Sequence, residues 1–392
     1  MTHLQRLSLP CRTLARSAVA AAVTFAVLVL PGTFPHAAAD DEPAEATCEN
    51  VLLITLDGLR PQDLFTGADE TLLNRSAGGV RNTRDTREAF WRETPEQRRI
   101  AMMPWFWQTI AAEGVVFGDT SGGSIVRVTN EHRFSYPGYN EILTGVSDPR
   151  IDSNAKRNND NVTVLEWLHS RPGLDGRVAA FCSWDVFPYI INADRSGIPV
   201  NAGWEPLAKT VDTAATRALD ALAAEMPRYW DNVRYDYFTF RGAHEYLKQK
   251  QPRLLYVAFG ETDDWAHDGR YDLYLDAARR TDDYIRQLWE TAQSMPQYRG
   301  KTALVITTDH GRGDTREEWK SHGESIAGSE FMWIAVLGPG VKPQGPEPGT
   351  VTQAQVAATV ATLLGYDYRG DVPEAGEPLP LWPAKEESGN RN

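Results

Sequence analysis

Five short, nearly continuous apolar runs most constrain what this chain can fold into. They are rich in β-branched and aromatic residues and lie at 51–56, 177–181, 253–259, 302–308 and 332–337. Runs of this kind are typical of strands buried on both faces of a parallel or mixed sheet. Helix-like stretches alternate with them, at 104–113, 162–170, 208–225, 272–294 and 353–364. The alternation predicts an α/β fold in which helices flank a central, mostly parallel sheet.

The length of 392 residues allows one large domain, which we place at 49–383. The segment 183–250 is rich in aromatic residues. It is a possible cap over the edge of the sheet, although its aromatic side chains could equally belong to the core. Residues 40–48 are acidic and rich in turn formers, and residues 384–392 are polar without periodicity. We expect both segments to be flexible ends.

The first 39 residues have the pattern of a secretory signal. Three arginines precede an uncharged apolar run at 18–30, and the small residues Ala37, Ala38 and Ala39 follow it. The alternative is a membrane anchor, but a helix needs ~20 apolar residues to span a bilayer and this run is shorter. We therefore predict export to the periplasm or out of the cell, cleavage near Ala39, and no membrane span in the mature protein.

The net charge of −13 constrains the partners of the chain. The predicted signal contains three arginines and no acidic residue, so the mature protein is still more acidic. An acidic surface repels nucleic-acid backbones, which argues against a nucleic-acid duplex as partner. A small phosphate-bearing substrate would need a local positive site, and bound metal is one way to supply it. Cys48 and Cys182 remain after cleavage, either as a disulfide or as free thiols.

Three of the predicted strands lead into carboxylate and histidine side chains, and one further histidine follows the last of them. These residues are Asp57, Asp263, His267, Asp309, His310 and His322. Ligands of open α/β sheets bind just outside the carboxyl ends of the strands, so we expect these side chains to meet there. Each alone could be a turn residue or a surface pair. Together they form a ligand set that suits zinc and also accepts manganese.

Ser135 is the candidate nucleophile. Pro137 suits the first turn of a helix, and Thr144-Gly145 suits its end, which places Ser135 at or next to the N-cap. Free N–H groups and the helix dipole at that point would hold a phosphate and favour an alkoxide. The alternative is a purely structural capping serine.

Together these motifs resemble the alkaline phosphatase superfamily, and most closely its type I phosphodiesterase/nucleotide pyrophosphatase branch. The order of strand-end Asp, Ser before a Pro-containing turn, Asp-x-x-x-His, Asp-His and His-Gly matches from about residue 50 to 340. The resemblance implies a three-layer α/β sandwich and a hydrolase of phosphoric mono- or diesters. It also implies two divalent metal ions ~4 Å apart, either zinc or manganese.

The resemblance further assigns roles to the candidate residues. One metal is held by Asp263, His267 and His322, and the other by Asp57, Ser135, Asp309 and His310. Ser135 then forms a phosphoserine that water hydrolyses. The resemblance also implies Asn154 as a substrate contact, and we add Asn140, Lys156 and Arg157 from the sequence as further candidates. Asn154 takes the position of the family's phosphate-binding asparagine, although the His-Gly-Ile sequence that precedes that asparagine in the family is missing here.

The segment after Ser135 also bears on the type of ester. It has no arginine before Arg150 to meet the extra charge of a monoester, which favours diesters or esters with a bulky organic group. Arg133, Lys156 or Arg157 could still supply that cation.

Other function classes fit the sequence less well. An exported binding protein or pseudoenzyme with this fold would not need every ligand position to carry a competent residue. The sulfatase branch has an arginine where this chain has Tyr139. Phosphoglycerate mutases insert a large second domain after the nucleophile, for which 183–250 is too short.

Overall fold

The computed structural model of the chain describes residues 48–342, 345–346 and 348–381. The predicted signal at 1–39 and the predicted tail at 384–392 lie outside these ranges, so export stays a prediction. Within the described ranges, no helix is both long and apolar enough to cross a membrane.

Eleven strands form two sheets in the described part of the chain. They are β1 (Asn50–Leu56), β2 (Val115–Phe117), β3 (Ser124–Arg127), β4 (Val178–Cys182), β5 (Val200–Ala202), β6 (Leu254–Phe259), β7 (Thr302–Thr307), β8 (Phe331–Met332), β9 (Ile334–Leu337), β10 (Gly345–Pro346) and β11 (Gly349–Thr352). The large sheet has the order β10-β2-β9-β7-β1-β6-β4-β5, and the small one has the order β11-β3-β8. In the large sheet β9 runs antiparallel to both neighbours, while the other observed pairings are parallel.

Helices cover both faces of the large sheet. They are α1 (Pro61–Thr66), α2 (Thr83–Phe90), α3 (Pro95–Met102), α4 (Ala111–Glu113), α5 (Ser135–Thr144), α6 (Val164–His169), α7 (Phe187–Ile190), α8 (Ala193–Ser196), α9 (Ala214–Glu225), α10 (Asp236–Lys250), α11 (Glu261–His267), α12 (Tyr271–Ser294), α13 (Gln355–Leu363) and α14 (Tyr368–Asp371). Short 3-10 turns at Glu70–Leu72, Thr120–Gly122 and Leu207–Lys209 and a π turn at Phe106–Ile110 complete the helical segments.

The central strand β1 explains the layering, because it is buried on both faces. Val51 and Leu53 point into a core shared with α5, α6 and α13. Leu52 and Ile54 point into a second core shared with α10 and α12. The predicted three-layer α/β sandwich with a mostly parallel central sheet is therefore confirmed.

Four of the five predicted strands are present as single strands, but the run at 332–337 is divided. Met332 pairs with β3 in the small sheet, whereas Ile334 begins the strand that pairs with β7 in the large one. The buried Trp333 lies between them, with its indole N–H donating to the Leu59 carbonyl at 2.9 Å. This contact anchors Trp333 where the chain passes from one sheet to the other.

The segment 183–250, predicted as a possible cap, contributes to the sandwich itself. It supplies the edge strand β5 and the helix α10, which packs on the second core through Phe240, Ala243 and Leu247. An isolated bridge between Trp184 and Val233 holds two of its loops together.

Both described cysteines are buried free thiols rather than a disulfide. Cys48 donates from its Sγ to the Leu363 carbonyl at 3.2 Å, and burial raises the pKa of this thiol to about 11. Cys182 ends β4, and burial raises the pKa of its thiol as well.

Candidate active site

The candidate site lies where three neighbouring parallel strands end. Strand β1 pairs with β6 on one side and with β7 on the other, so their carboxyl ends share one edge of the sheet. Asp57 follows β1, and α11 carries Asp263 after β6. After β7, His310 Nε2 lies 3.5 Å from Asp57 Oδ1 and 3.9 Å from Asp263 Oδ1. The expected meeting of the strand-end side chains is therefore present.

Asp57, Asp309 and His310 form what we call the inner cluster. His310 Nε2 lies 3.3 Å from Asp309 Oδ2, and all three residues are buried. Asp57 Oδ2 accepts from the Tyr139 hydroxyl at 2.9 Å, and Asp309 Oδ1 accepts from the Gly58 amide at 3.0 Å. Asp57 Oδ1 and Asp309 Oδ2 are buried without a hydrogen-bond partner in the described structure. Such oxygens are costly unless a cation binds them, so the inner cluster fits a divalent metal.

Asp263, His267 and His322 form the outer cluster. His267 Nε2 lies 2.9 Å from His322 Nε2 and 3.2 Å from Asp263 Oδ2. His322 Nε2 lies 3.7 Å from Asp263 Oδ1. Two imidazole nitrogens and a carboxylate that converge in this way suit a second divalent metal. The His310 and His322 rings stack 3.9 Å apart, so the two clusters adjoin.

Backbone carbonyls fix which ring nitrogen of two histidines is free. His310 Nδ1 is 2.9 Å from the Gly311 carbonyl, and His322 Nδ1 is 3.3 Å from the Arg133 carbonyl. A carbonyl can only accept, so Nδ1 carries the proton and Nε2 keeps its lone pair. Burial also lowers the pKa of His310 to about 4, which keeps the ring neutral near pH 7. Both rings are thus oriented as metal ligands commonly are.

The electrostatics of the inner cluster also favour a cation. Burial raises the pKa of Asp57, and the neighbouring Asp309 and Asp263 raise it further. Burial and Asp263 likewise raise the pKa of Asp309. Negative charge at this edge of the sheet is therefore poorly compensated by the protein itself, and bound cations would relieve the repulsion.

Arg312, which the sequence motifs do not indicate, is fully buried beside the outer cluster. Its Nη1 contacts Asp263, while Nε donates to the Trp319 carbonyl at 3.1 Å and Nη2 to the Lys320 carbonyl at 2.6 Å. Burial alone would raise the pKa of Asp263, but Arg312 and His267 hold it well below its usual range. The available signal was an arginine two residues after His310 and flanked by glycines.

Ser135 is the first residue of α5, directly after the N-cap Phe134. Its Oγ lies 3.4 Å from His310 Nε2 at the edge of the inner cluster. The helix approaches the end of β7 closely, because a β-carbon on Gly138 would lie 2.3 Å from the Asp309 carbonyl oxygen. The helix ends at Gly145 in the left-handed conformation, as expected from the sequence.

A buried carboxylate shapes the loop before the nucleophile. Glu141 accepts from the Thr129 and Asn130 amides at 2.8 and 2.9 Å and from the Asn130 side chain at 2.8 Å. Asn130 in turn accepts from the amide of Arg133, which adopts the left-handed φ of 54°. A non-glycine residue in this conformation is strained, so these bonds hold the loop that leads into Ser135.

The N-terminus of α5 offers fewer free donors than the sequence suggests. The Tyr136 amide already donates to Asn154 Oδ1 at 3.0 Å, and Pro137 has no N–H. The bond uses Oδ1 of Asn154 and leaves its Nδ2 group to donate to a substrate.

A cavity of about 390 Å³ opens beside the nucleophile. Of the four predicted substrate contacts, Asn154 and Lys156 line it. Asn140 does not, because its amide is bonded to the Val146 carbonyl and to the side chains of Asn159 and Asn161. Arg157 lines a different cavity.

Comparisons with known proteins identify the family of the chain. The sequence pattern of the type I phosphodiesterase / nucleotide pyrophosphatase family matches residues 75–364. No curated protein sequence matches the chain significantly.

The chain is also similar to solved structures. Wild type alkaline phosphatase PafA has a TM-score of 0.53 and 10% identity, over 85% of this chain and 98% of that one. Ps i-CgsB in complex with k-i-k-neocarrahexaose has a TM-score of 0.53 and 16% identity, over 86% and 76%. A putative sulfatase from Bacteroides thetaiotaomicron VPI-5482 has a TM-score of 0.52 and 15% identity, over 84% and 73%. These likenesses show the fold.

A substitution at Gly58 tests whether the two clusters bind metal. Its φ is +57°, and an added β-carbon would lie 2.7 Å from Arg312 Nη1 and 2.8 Å from Asp263 Oδ1. We expect Gly58→Ala to lower the amount of divalent metal retained by the purified protein at least tenfold, as measured by elemental analysis. Gly123→Ala is the matched control, because Gly123 has a φ of +79° with nothing within 4 Å. Equal losses of metal in Gly58→Ala and Gly123→Ala would contradict a specific role of Gly58 in the metal site.

Proposed function

The chain belongs to the type I phosphodiesterase / nucleotide pyrophosphatase family of the alkaline phosphatase superfamily, and from this premise we propose that it hydrolyses phosphoric esters with two divalent metals and a phosphoserine at Ser135. The superfamily contains phosphoester hydrolases and sulfatases, so the type of ester has to be argued from this site. The enzyme would act after export, as the apolar run behind three arginines indicates.

One observation carries the proposal. Two buried carboxylate oxygens without hydrogen-bond partners, on Asp57 and Asp309, lie around His310, and the Ser135 hydroxyl lies 3.4 Å from that ring. Carboxylate and imidazole ligands suit zinc and accept manganese. The inner cluster would hold one ion and the outer cluster the other. When bound, the ions supply positive charge that lowers the pKa of a nearby hydroxyl and stabilises charge on phosphoryl oxygens.

The chain's own residues then perform the following steps. The Ser135 oxygen attacks phosphorus, the bond to the leaving oxygen breaks, and a phosphoserine forms as the alcohol departs. Water subsequently cleaves the phosphoserine to release the second product and restore the hydroxyl. The Nδ2 group of Asn154 would donate to a phosphoryl oxygen. Tyr139 keeps Asp57 in place by binding one of its oxygens.

Metal removal tests the proposal as a whole. We expect a chelator to abolish hydrolysis of p-nitrophenyl phosphate esters and added zinc or manganese to restore it, because the protein groups alone do not activate a serine near neutral pH. The measurement is p-nitrophenolate release before chelation, after it and after each metal is added. Full turnover by metal-free protein would disprove the two-metal mechanism.

Ser135→Ala tests the covalent step. The rate should fall by at least a factor of about 10³, while the fold and most of the metal content stay, since Ser135 adds one ligand to a set of six other residues. Wild-type protein quenched in acid during turnover should carry a phosphate on Ser135, detected by peptide mass spectrometry. Near-native activity of the alanine variant would indicate direct attack by water instead.

The cations around Ser135 support a preference for diesters. Arg133 donates to the Glu324 carbonyl at 3.1 Å and does not line the cavity. Lys156 does line it, but its ammonium group is paired with Asp185 at 2.6 Å. A paired ammonium compensates little additional charge, whereas a monoester brings one charge more than a diester. Asn154, a neutral donor, suits the diester.

The ester preference is measured by comparing kcat/KM for bis-p-nitrophenyl phosphate and p-nitrophenyl phosphate. We expect the diester to be preferred in the wild type. Asp185→Asn should shift the ratio towards the monoester, because it frees the charge of Lys156, and Lys156→Met should not. A wild-type monoester preference above about tenfold, equivalent to ~1.4 kcal/mol, would overturn the diester assignment.

A further inference from the structure

The guanidinium of Arg312 gives the two clusters different charges. The inner cluster has two carboxylates, and each keeps one oxygen without a partner. The outer cluster has a single carboxylate, Asp263, and one of its oxygens is bonded to Arg312. A divalent cation in the outer cluster would therefore meet less negative charge, and it would also lie near a fixed positive one.

The two clusters also differ in solvent access, and the outer cluster is the more exposed one. The side chain of His267, in the outer cluster, is 47% exposed, whereas those of Asp309 and His310 are 0% exposed. Salt and water reach an exposed ligand and weaken its electrostatic interactions, while a buried set is screened much less. The inner cluster combines the larger number of carboxylates with the greater burial.

The position of Arg312 is fixed by the loop that supplies His322. Its Nε and Nη2 groups donate to the Trp319 and Lys320 carbonyls, which lie three and two residues before that histidine. The Gly313 amide also donates to the Ser321 carbonyl at 2.9 Å, which closes the same loop. These backbone bonds hold Arg312 beside the outer cluster.

We propose that Arg312 makes the two metal positions unequal, so that the inner cluster retains its ion and the outer cluster binds and releases its ion readily. The inference rests on the proposed function, because it presupposes two divalent ions. Arg312 acts here through Asp263 as a positioning residue. Activity would then follow the free metal concentration around the protein, which sets the occupancy of the outer cluster.

Zinc content per chain tests this inference independently of activity. The zinc-loaded wild type is dialysed against increasing chelator concentrations, and retained zinc is measured by elemental analysis. We expect one equivalent to leave at a chelator concentration at least tenfold below that which removes the second. His267→Ala should retain a single equivalent that leaves at the higher concentration, and Asp309→Ala should lose the tightly held equivalent.

Arg312→Met removes the charge but keeps much of the side-chain length, and it should narrow the interval between the two release steps. If this variant does not fold, the contrast between His267→Ala and Asp309→Ala still decides the order of release. Release of both equivalents together from the wild type would overturn the inference, as would a single equivalent under all conditions, because Arg312 would then replace the second ion. Wild-type protein that retains no zinc or manganese at all would contradict the proposed function itself.

Discussion

The repulsion among three carboxylates is the constraint on which the rest of the site depends. Asp57, Asp263 and Asp309 lie around the ring of His310, at the end of three adjacent strands. Burial prevents water from screening them, and the neutral ring contributes no positive charge. Such carboxyl groups stay ionised near neutral pH only if cations or strong donors compensate their charge, since otherwise their pKa rises and they take up protons. Arg312 compensates Asp263, and the unpartnered oxygens of Asp57 and Asp309 are free to bind a metal ion.

The fold brings these charges together by backbone geometry rather than by flexible side chains. Strand β1 is central in the large sheet, so its carboxyl end has a parallel neighbour on each side. Helix α5 then approaches the end of β7 at Gly138, where a side chain would collide with the Asp309 carbonyl. The nucleophile is therefore held on a rigid element next to the inner cluster, which limits the reorganisation needed during reaction.

The sequence predicted the parts of this site that depend on local pattern. The strands were recognisable because a strand buried on both faces is apolar throughout, and Ser135 was recognisable from Pro137 and Gly145 at the two ends of its helix. The division of the run at Trp333 was not predictable, because the indole contacts Leu59, far away in the sequence. Arg312 was missed for the same reason, since its partner Asp263 lies on another strand end. Asn140 was assigned to the substrate because its bonds to Asn159 and Asn161 are invisible in the sequence.

The most direct test of the central claim is the position of bound metal, located by anomalous diffraction from crystals of zinc-loaded protein. The account predicts two anomalous peaks at the carboxyl edge of the sheet. One peak should lie among Asp57, Asp309 and His310, and the other among Asp263, His267 and His322, with the inner peak at higher occupancy. An absence of peaks at this edge, or peaks bound only by other residues, would contradict it.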